Sequence, residues 1–355
     1  MRTAKRKIEH VEICATQDVE SGYTGFEDVV LIHNALPEID YDEVDASVEF
    51  LGKKLSFPFL IASMTGGHPE TKVVNANIAE AVERAGIGMG VGSQRAAIED
   101  ASLQDTFTIV REKAPNAFVY ANIGAPQLLH YGAEIIDRIV EMVDADAVAV
   151  HLNYLQEAIQ PEGEPNARGC LQKIREVCEQ SRVPVIVKET GAGISREVAL
   201  KLRDAGVAAV DVGGKGGTSF AVVEAFRVEG AERKLGMDFR DWGIPTAFCV
   251  VDCSKILPTV ATGGIRSGVD VAKAVALGAV AASAALPFLK PALESAEKVL
   301  EEVERFRRGF VSAMFLTSCR SVGELRKAKI FVSGRLKDWL RYRGIDVVKF
   351  MEGER

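Results

Sequence analysis

Short unbroken apolar runs recur along the chain, each trailing into glycine or polar residues and then into a stretch with helical spacing. Strands buried on both faces of a parallel sheet read this way, whereas half-exposed strands alternate. Eight such runs stand out, at residues 57–63, 86–92, 118–124, 147–153, 184–189, 208–213, 257–262 and 279–285. Between most of them lies a helical pattern. Ser267-Gly268-Val269-Asp270 has the spacing of a capping box, with Val271, Ala274, Val275 and Gly278 behind it at helical spacing. Ser102 and Asp105 make a similar pair ahead of another helix. Strand and helix alternating eight times predict an α/β fold, a (β/α)8 TIM barrel, over a span suited to its usual ~250 residues.

The chain is expected to form one domain. Residues 1–56 read as an N-terminal extension over the barrel mouth, 57–304 as the barrel, and 305–355 as a C-terminal helical segment rich in Arg and Lys. Residues 228–256 interrupt the sixth unit and carry Trp242-Gly243-Ile244-Pro245. Apolar residues make up 47% of the chain, ample for a core, and the net charge of -7 argues against a general nucleic-acid binder. No apolar run approaches the ~18 residues of a membrane span. The basic start (Arg2, Lys5, Arg6, Lys7) has no apolar signal core behind it. Six cysteines lie scattered, so the thiols read as reduced, in a cytoplasmic protein without a structural zinc site.

Glycine-rich loops follow the apolar runs: Met64-Thr65-Gly66-Gly67, Gly88-Met89-Gly90-Val91-Gly92-Ser93, Gly213-Gly214-Lys215-Gly216-Gly217-Thr218-Ser219 and Ala261-Thr262-Gly263-Gly264-Ile265-Arg266. Glycine lets a backbone approach a ligand closely and aim several N–H groups at one phosphate. The loops after strands seven and eight are the habitual phosphate site of such barrels. Here they hold Gly264, Ile265, Arg266, Ala284 and Ala285, ahead of a helix N-terminus at Ser267. The alternating glycines at 86, 88, 90 and 92 do not fit the dinucleotide fingerprint, which favours a mononucleotide such as FMN over a tightly held nicotinamide dinucleotide.

Working residues of this fold sit at the C-terminal ends of strands. Lys188 ends strand five; it is either an ion-pair partner or a cation near the flavin pyrimidine. Asn122 ends strand three, within reach of the same ring edge. Strand four ends in His151-Leu152-Asn153, followed by Gln156-Glu157, a denser polar cluster than packing requires. Glu157 is a candidate Mg2+ ligand, because magnesium commonly takes one or two carboxylates plus substrate phosphates. Glu224 lies in the helix after strand six, one turn beyond Phe220, where a raised pKa would suit a general acid or base. Arg6, Lys7 and His10 read either as a frayed tail or as a lid that brings positive charge to an anionic substrate.

Taken in order, these motifs resemble the type 2 isopentenyl-diphosphate delta-isomerases, FMN-dependent enzymes of isoprenoid biosynthesis. The resemblance runs almost end to end. It includes Arg6-Lys7 with His10, Met64-Thr65-Gly66-Gly67, Ser93-Gln94-Arg95, His151-Leu152-Asn153 with Gln156-Glu157, Val187-Lys188-Glu189 and Gly216-Gly217-Thr218-Ser219-Phe220 with Glu224. It continues through Trp242-Gly243-Ile244-Pro245-Thr246, Thr262-Gly263-Gly264-Ile265-Arg266 and Leu336-Lys337-Asp338-Trp339-Leu340 with Arg343-Gly344.

The resemblance implies roles. Arg6, Lys7, His10, Ser93, Gln94, Arg95, His151, Asn153 and Gln156 would bind a small diphosphate substrate, and Glu157 would bind Mg2+. Met64, Thr65, Gly66, Ser93, Asn122, Lys188 and Thr218 would line the flavin, with Gly264, Ile265, Arg266, Ala284 and Ala285 at its phosphate. Glu224, His151 and Gln156 would be catalytic, NADPH would reduce the flavin, and the protein would be a homo-oligomer, a tetramer or larger. Three rival readings fit less well. A 2-hydroxy-acid oxidase would want a histidine base beside paired arginines at strand ends. A nucleotide dehydrogenase of the inosine-monophosphate type would need a cysteine in the loop after strand six, and residues 213–219 contain none. A flavin-binding regulatory or scaffold protein would need no such polar set.

Overall fold

The computed structural model describes residues 2–355, with side chains from Arg6 onward, so the side chains of Arg2 and Lys5 lie outside the described residues. Eight parallel strands close into a barrel: Phe59–Ile61, Gly88–Gly90, Phe118–Gly124, Ala147–Leu152, Val185–Glu189, Ala209–Asp211, Thr259–Thr262 and Ala281–Ala284. The eighth pairs with the first, Ser283 opposite Leu60. Every expected run contains one of these strands, and most runs are longer than the strand. Ala62, Val91 and Val212 stay buried although they lie just beyond the strand ends. An apolar run reports burial, and burial continues where the ladder stops.

Side chains alternate along each strand. Val119, Ala121, Val148, Val150, Val187 and Val210 face the surrounding helices. The intervening positions fill the barrel: Leu60, Phe118, Tyr120, Ala147, Ala149, Ile186, Ala209, Val260 and Ala281 form a separate apolar cluster. Two residues further along five of these strands, the same inward face turns polar. Ala149 gives way to His151, Ile186 to Lys188, Ala209 to Asp211, Val260 to Thr262 and Ala281 to Ser283. The barrel is therefore an apolar plug below and a polar floor above. Gly90 serves this packing, since a Cβ there would come within 2.1 Å of the Tyr120 ring.

The N-terminal extension covers both ends of the barrel rather than the mouth alone. Helix Arg2–Thr16 crosses the mouth, facing it with Lys7, His10, Val11 and Cys14, which fall on one helical stripe. The hairpin Val48–Phe50/Lys53–Leu55 closes the opposite end, where the Phe50 ring meets Phe118 edge-on at 5.2 Å. Alternating residues in a short hairpin do not announce which end they will plug.

The boundary expected at 304/305 falls inside a single helix, Ala296–Phe315. Phe306 packs on Phe59 at 5.0 Å and Phe310 on Phe57 at 6.2 Å, so the helix belongs to the barrel wall despite its charged outer face. The segment after it is not purely helical either. Ile330–Val332 pairs antiparallel with Val29–Leu31, drawing the two ends of the chain together. The cap at Ser267 forms, its hydroxyl accepting from Asp270 N. Ser102 caps no helix; Asp100 accepts from the Ser102 backbone, and helix Asp105–Lys113 starts after Gln104.

Candidate active site

One cavity opens at the C-terminal ends of the strands, under helix Arg2–Thr16. It gathers residues from Arg6 to Leu289: Arg6, Lys7 and His10 from that helix, Met64 and Thr65 after strand one, and Ser93 and Arg95 after strand two. Asn122, His151, Asn153, Gln156, Glu157, Lys188 and Thr218 line its middle, and Gly264, Arg266, Ala284 and Ala285 line one side.

Four of the expected site residues do not line it. Gln94 is fully buried, and its side chain bonds Ile139 O at 2.8 Å and Asn122 N at 3.0 Å. It staples strand three instead of facing substrate. Ile265 is fully buried in the core shared with the helices. Gly66 is needed for packing: φ is +140°, and a Cβ would strike the Phe107 ring at 2.3 Å. Glu224 lies behind the cavity wall, fully buried.

The end of strand four is tightly organised. His151 Nδ1 meets Asn122 Oδ1 at 2.9 Å. Burial, then the positive charges of Lys188, Lys7 and Arg6, hold its pKa well below the usual histidine value, so the ring is neutral. Gly124 leaves room for it, since a Cβ there would lie 3.0 Å from His151 Nε2. Asn153 Nδ2 donates to Glu157 Oε1 at 2.9 Å, and Gln160 Nε2 and Glu164 N donate to Glu157 Oε2 at 2.7 and 2.9 Å. This arrangement aims a single buried carboxylate at the cavity edge. Among the described residues no group of three or more His, Cys, Asp or Glu is placed to hold a metal. Any cation here must draw most of its oxygens from a bound ligand.

Glu224 behaves contrary to the sequence expectation. It accepts from Gln156 Nε2 at 2.7 Å and Arg227 Nη1 at 2.5 Å, and lies 2.9 Å from His10 Nε2. Burial opposes its charge, but the bonds from His10, Gln156 and Arg227 prevail and lower its pKa to about 2. It is a permanent anion and not a carboxyl poised to donate. Gln156 and His10, which do line the cavity, are what it orients. Lys7 is a titratable cation of helix Arg2–Thr16: burial, with Arg6 beside it, lowers its pKa to about 8.

The opposite wall fits a phosphorylated planar cofactor. The loops after strands six and seven interleave backbone against backbone. A Cβ on Gly217 would lie 2.4 Å from Gly264 N, and one on Gly263 would lie 2.0 Å from Gly214 O. Ser63 Oγ and Thr65 Oγ1 are buried without partners and belong to residues lining the cavity, leaving hydrogen-bonding capacity for a ligand. Lys188 Nζ bonds Glu189 O at 3.0 Å and reaches the same space. The Arg266 guanidinium is already engaged, by Glu20 and by Ile265 O at 2.8 Å, and its backbone N–H is taken by Asp270.

Three functional positions escaped the sequence reading. Arg227 and Gln160 stand three residues beyond Glu224 and Glu157, a helical pairing distance that could have flagged both. Glu189 collects four backbone N–H groups, from Thr190 to Gly193, which folds the loop after strand five. Nothing in the residue types announced that nest.

Comparison with known proteins matches this architecture. Residues 147–332 fit the FMN-dependent dehydrogenase family. Mandelate oxidase crystal structures, one with (S)-2-phenylpropionate and one with 3,3-difluoro-2-hydroxy-3-phenylpropionic acid, share the fold. Their TM-scores are 0.62 and 0.61 at 19% identity, covering 94% of this chain and 97% and 98% of theirs. Sequence likeness runs much closer elsewhere. Isopentenyl-diphosphate delta-isomerase of Archaeoglobus fulgidus is 68% identical, covering 97% of this chain and 100% of that protein. The proteins of the same name from Methanosarcina barkeri and Halobacterium salinarum are 54% and 48% identical, covering 97% and 96% of this chain and 96% and 97% of theirs. The chain belongs to the isopentenyl-diphosphate delta-isomerase family, on the barrel of the FMN-dependent dehydrogenases.

Proposed function

We propose that the protein catalyses the reversible isomerisation of isopentenyl diphosphate to dimethylallyl diphosphate, with bound FMN in its reduced state. The observation that carries this reading is 68% identity across nearly the whole of both chains to a protein of that name. The 2-hydroxy-acid oxidase reading has fold likeness alone, at 19% identity. Shifting a double bond by one position adds a proton at one carbon and removes one at another, with no net redox change. Reduced FMN, when bound, would supply proton-exchange chemistry and negative charge to this reaction.

The chain's own residues do the rest. Arg6, Lys7, Arg95 and His151 offer donors to the diphosphate, with Ser93, His10 and Asn153 beside them. Glu157 would hold Mg2+ by its carboxylate, with the remaining oxygens drawn from the diphosphate and water. Gln156, anchored by Glu224, presents its amide to the substrate near the diphosphate. Lys188, Asn122, Met64, Thr65 and Thr218 line the flavin space, and Gly264 with Ala284 and Ala285 takes its phosphate. Helix Arg2–Thr16 excludes water from a site where charge develops. NADPH acts as reductant only. The protein is further read as a cytoplasmic homo-oligomer; among the described residues no helix is long and apolar enough to cross a membrane.

The test is turnover of isopentenyl diphosphate by the FMN-loaded protein in deuterated water. Product should form only after reduction, carry solvent deuterium, and exceed the NADPH consumed many times over. Stoichiometric NADPH consumption, or full activity of oxidised enzyme, would overturn the reading.

A further inference from the structure

Arg227 follows helix Phe220–Ala225 and is mostly buried, yet it does not line the cavity. Its guanidinium meets carboxylates on three separate elements. Nη1 donates to Glu224 Oε2 at 2.5 Å, Nε to Glu9 Oε2 at 3.0 Å, and Nη2 to Glu162 Oε1 at 2.7 Å. Glu9 belongs to the lid helix Arg2–Thr16, and Glu162 to the loop after helix Tyr154–Ile159. The lid returns to the same carboxylate from its other side, with His10 Nε2 at 2.9 Å from Glu224 Oε1. Arg6, one turn earlier on the lid, lies 3.9 Å from Glu162. A planar fork of five donors that never loses its charge suits such a junction, and a lysine could not span it.

We propose that Arg227 is the latch of the substrate site, a positioning residue that ties the N-terminal helix over the barrel mouth and holds Glu224 where it anchors Gln156. The kinetic consequence rests on the isomerase reading; the latch is a property of the chain itself. A lid that is open part of the time weakens apparent substrate affinity by the fraction closed. Loss of Arg227 therefore raises KM through the lid and, separately, leaves Glu224 with a weaker set of charges. The titratable and charged groups facing Glu224 are His10 and Cys14 on the lid, Glu162 on the loop after strand four, and Arg227 itself, with Lys7 and Arg6 acting on His10. Among these direct neighbours Arg227 is the permanent cation.

The test compares FMN-loaded wild type with Arg227→Gln, Arg227→Lys and the double variant Glu9→Gln/Glu162→Gln. FMN content should be equal in all four, because Arg227 touches none of the glycine loops. In Arg227→Gln, limited proteolysis within the N-terminal helix should accelerate. KM should rise on the order of tenfold, within the usual range for coupling between two sites, and a Glu224 acid limb that wild type does not show should appear in kcat, because the carboxylate has lost its permanent cation. The double variant should reproduce the faster cleavage and raised KM without that acid limb, since the Arg227–Glu224 contact survives. Arg227→Lys should likewise lose lid protection while retaining the pH profile. Wild-type cleavage and KM in Arg227→Gln would overturn the latch. Should that variant fail to fold, unaltered cleavage in the double variant would overturn it equally. If wild type does not isomerise isopentenyl diphosphate, the functional reading fails, and the cleavage comparison still judges the latch.

Discussion

His151 and Asn122 face each other across neighbouring strands, Nδ1 to Oδ1 at 2.9 Å. Asn122 Nδ2 donates to Val91 O at 3.1 Å, which turns its Oδ1 toward the ring. The proton therefore sits on His151 Nδ1, and the ring lines the cavity. A ring held neutral by burial and neighbouring cations becomes a donor once a diphosphate offsets those cations. His151→Ala should raise KM by roughly 10–100-fold, the worth of a hydrogen bond to a charged group, with FMN content unchanged. Steady-state kinetics beside flavin absorbance checks both halves.

Lys7 sets an alkaline limit. Its ammonium, lowered to about 8 by burial and Arg6, is charged below that pH and neutral above it. Affinity for an anionic substrate should then decline as pH rises through about 8. Lys7→Arg keeps its charge and should carry the decline in kcat/KM to higher pH. An alkaline limb that stays put in this variant would remove Lys7 from the diphosphate site.

For Glu224 the linkage runs the other way. A carboxylate lowered to about 2 stabilises the fold above its unfolded pKa, and that contribution disappears as pH falls through about 2. It is ionised throughout the working range, so its titration should not appear in the pH profile of wild type. Glu224→Gln should nevertheless slow turnover by ~10²-fold, because Gln156 and His10 lose the charge that anchors both. Solvent deuterium uptake should slow in step, measured by mass spectrometry of the product.

The magnesium requirement should hinge on Glu157. Glu157→Gln should raise the Mg2+ concentration for half-maximal activity by more than the roughly 10–100-fold usual for losing a residue that only orients a ligand. Gln160→Ala, which frees one lone pair but loosens the carboxylate, should raise it less. A magnesium titration that is the same in wild type and Glu157→Gln would place the ion elsewhere.

Gly264 tests the cofactor wall. Its φ is +73°, and an added Cβ would lie 2.4 Å from Thr24 Cγ2 and 2.5 Å from Gly216 O. Gly264→Ala should purify depleted in flavin, read from visible absorbance, while far-ultraviolet circular dichroism remains that of a folded barrel. Wild-type FMN content would show that the two loops can separate at no cost.

Much of this molecule is legible in one dimension because its information is local. A strand buried on both faces must be apolar residue after residue, so 118–124 and 147–153 are visible without knowing their neighbours. Glycines at strand ends likewise announce close backbone approach, and the polar set from His151 to Glu157 is dense enough to read directly. Tertiary structure alone decided the rest. Gln94 sits inside a motif, yet its amide turns inward to staple Asn122; a short polar side chain has no sequence signal for the direction it will face. Glu224 looks like a carboxyl raised by burial until His10 and Gln156 arrive from two distant helices and, with Arg227 three residues on, reverse the sign. Charge balance in a buried site is a sum over neighbours that the chain brings from far apart, and that sum exists only once the barrel has closed.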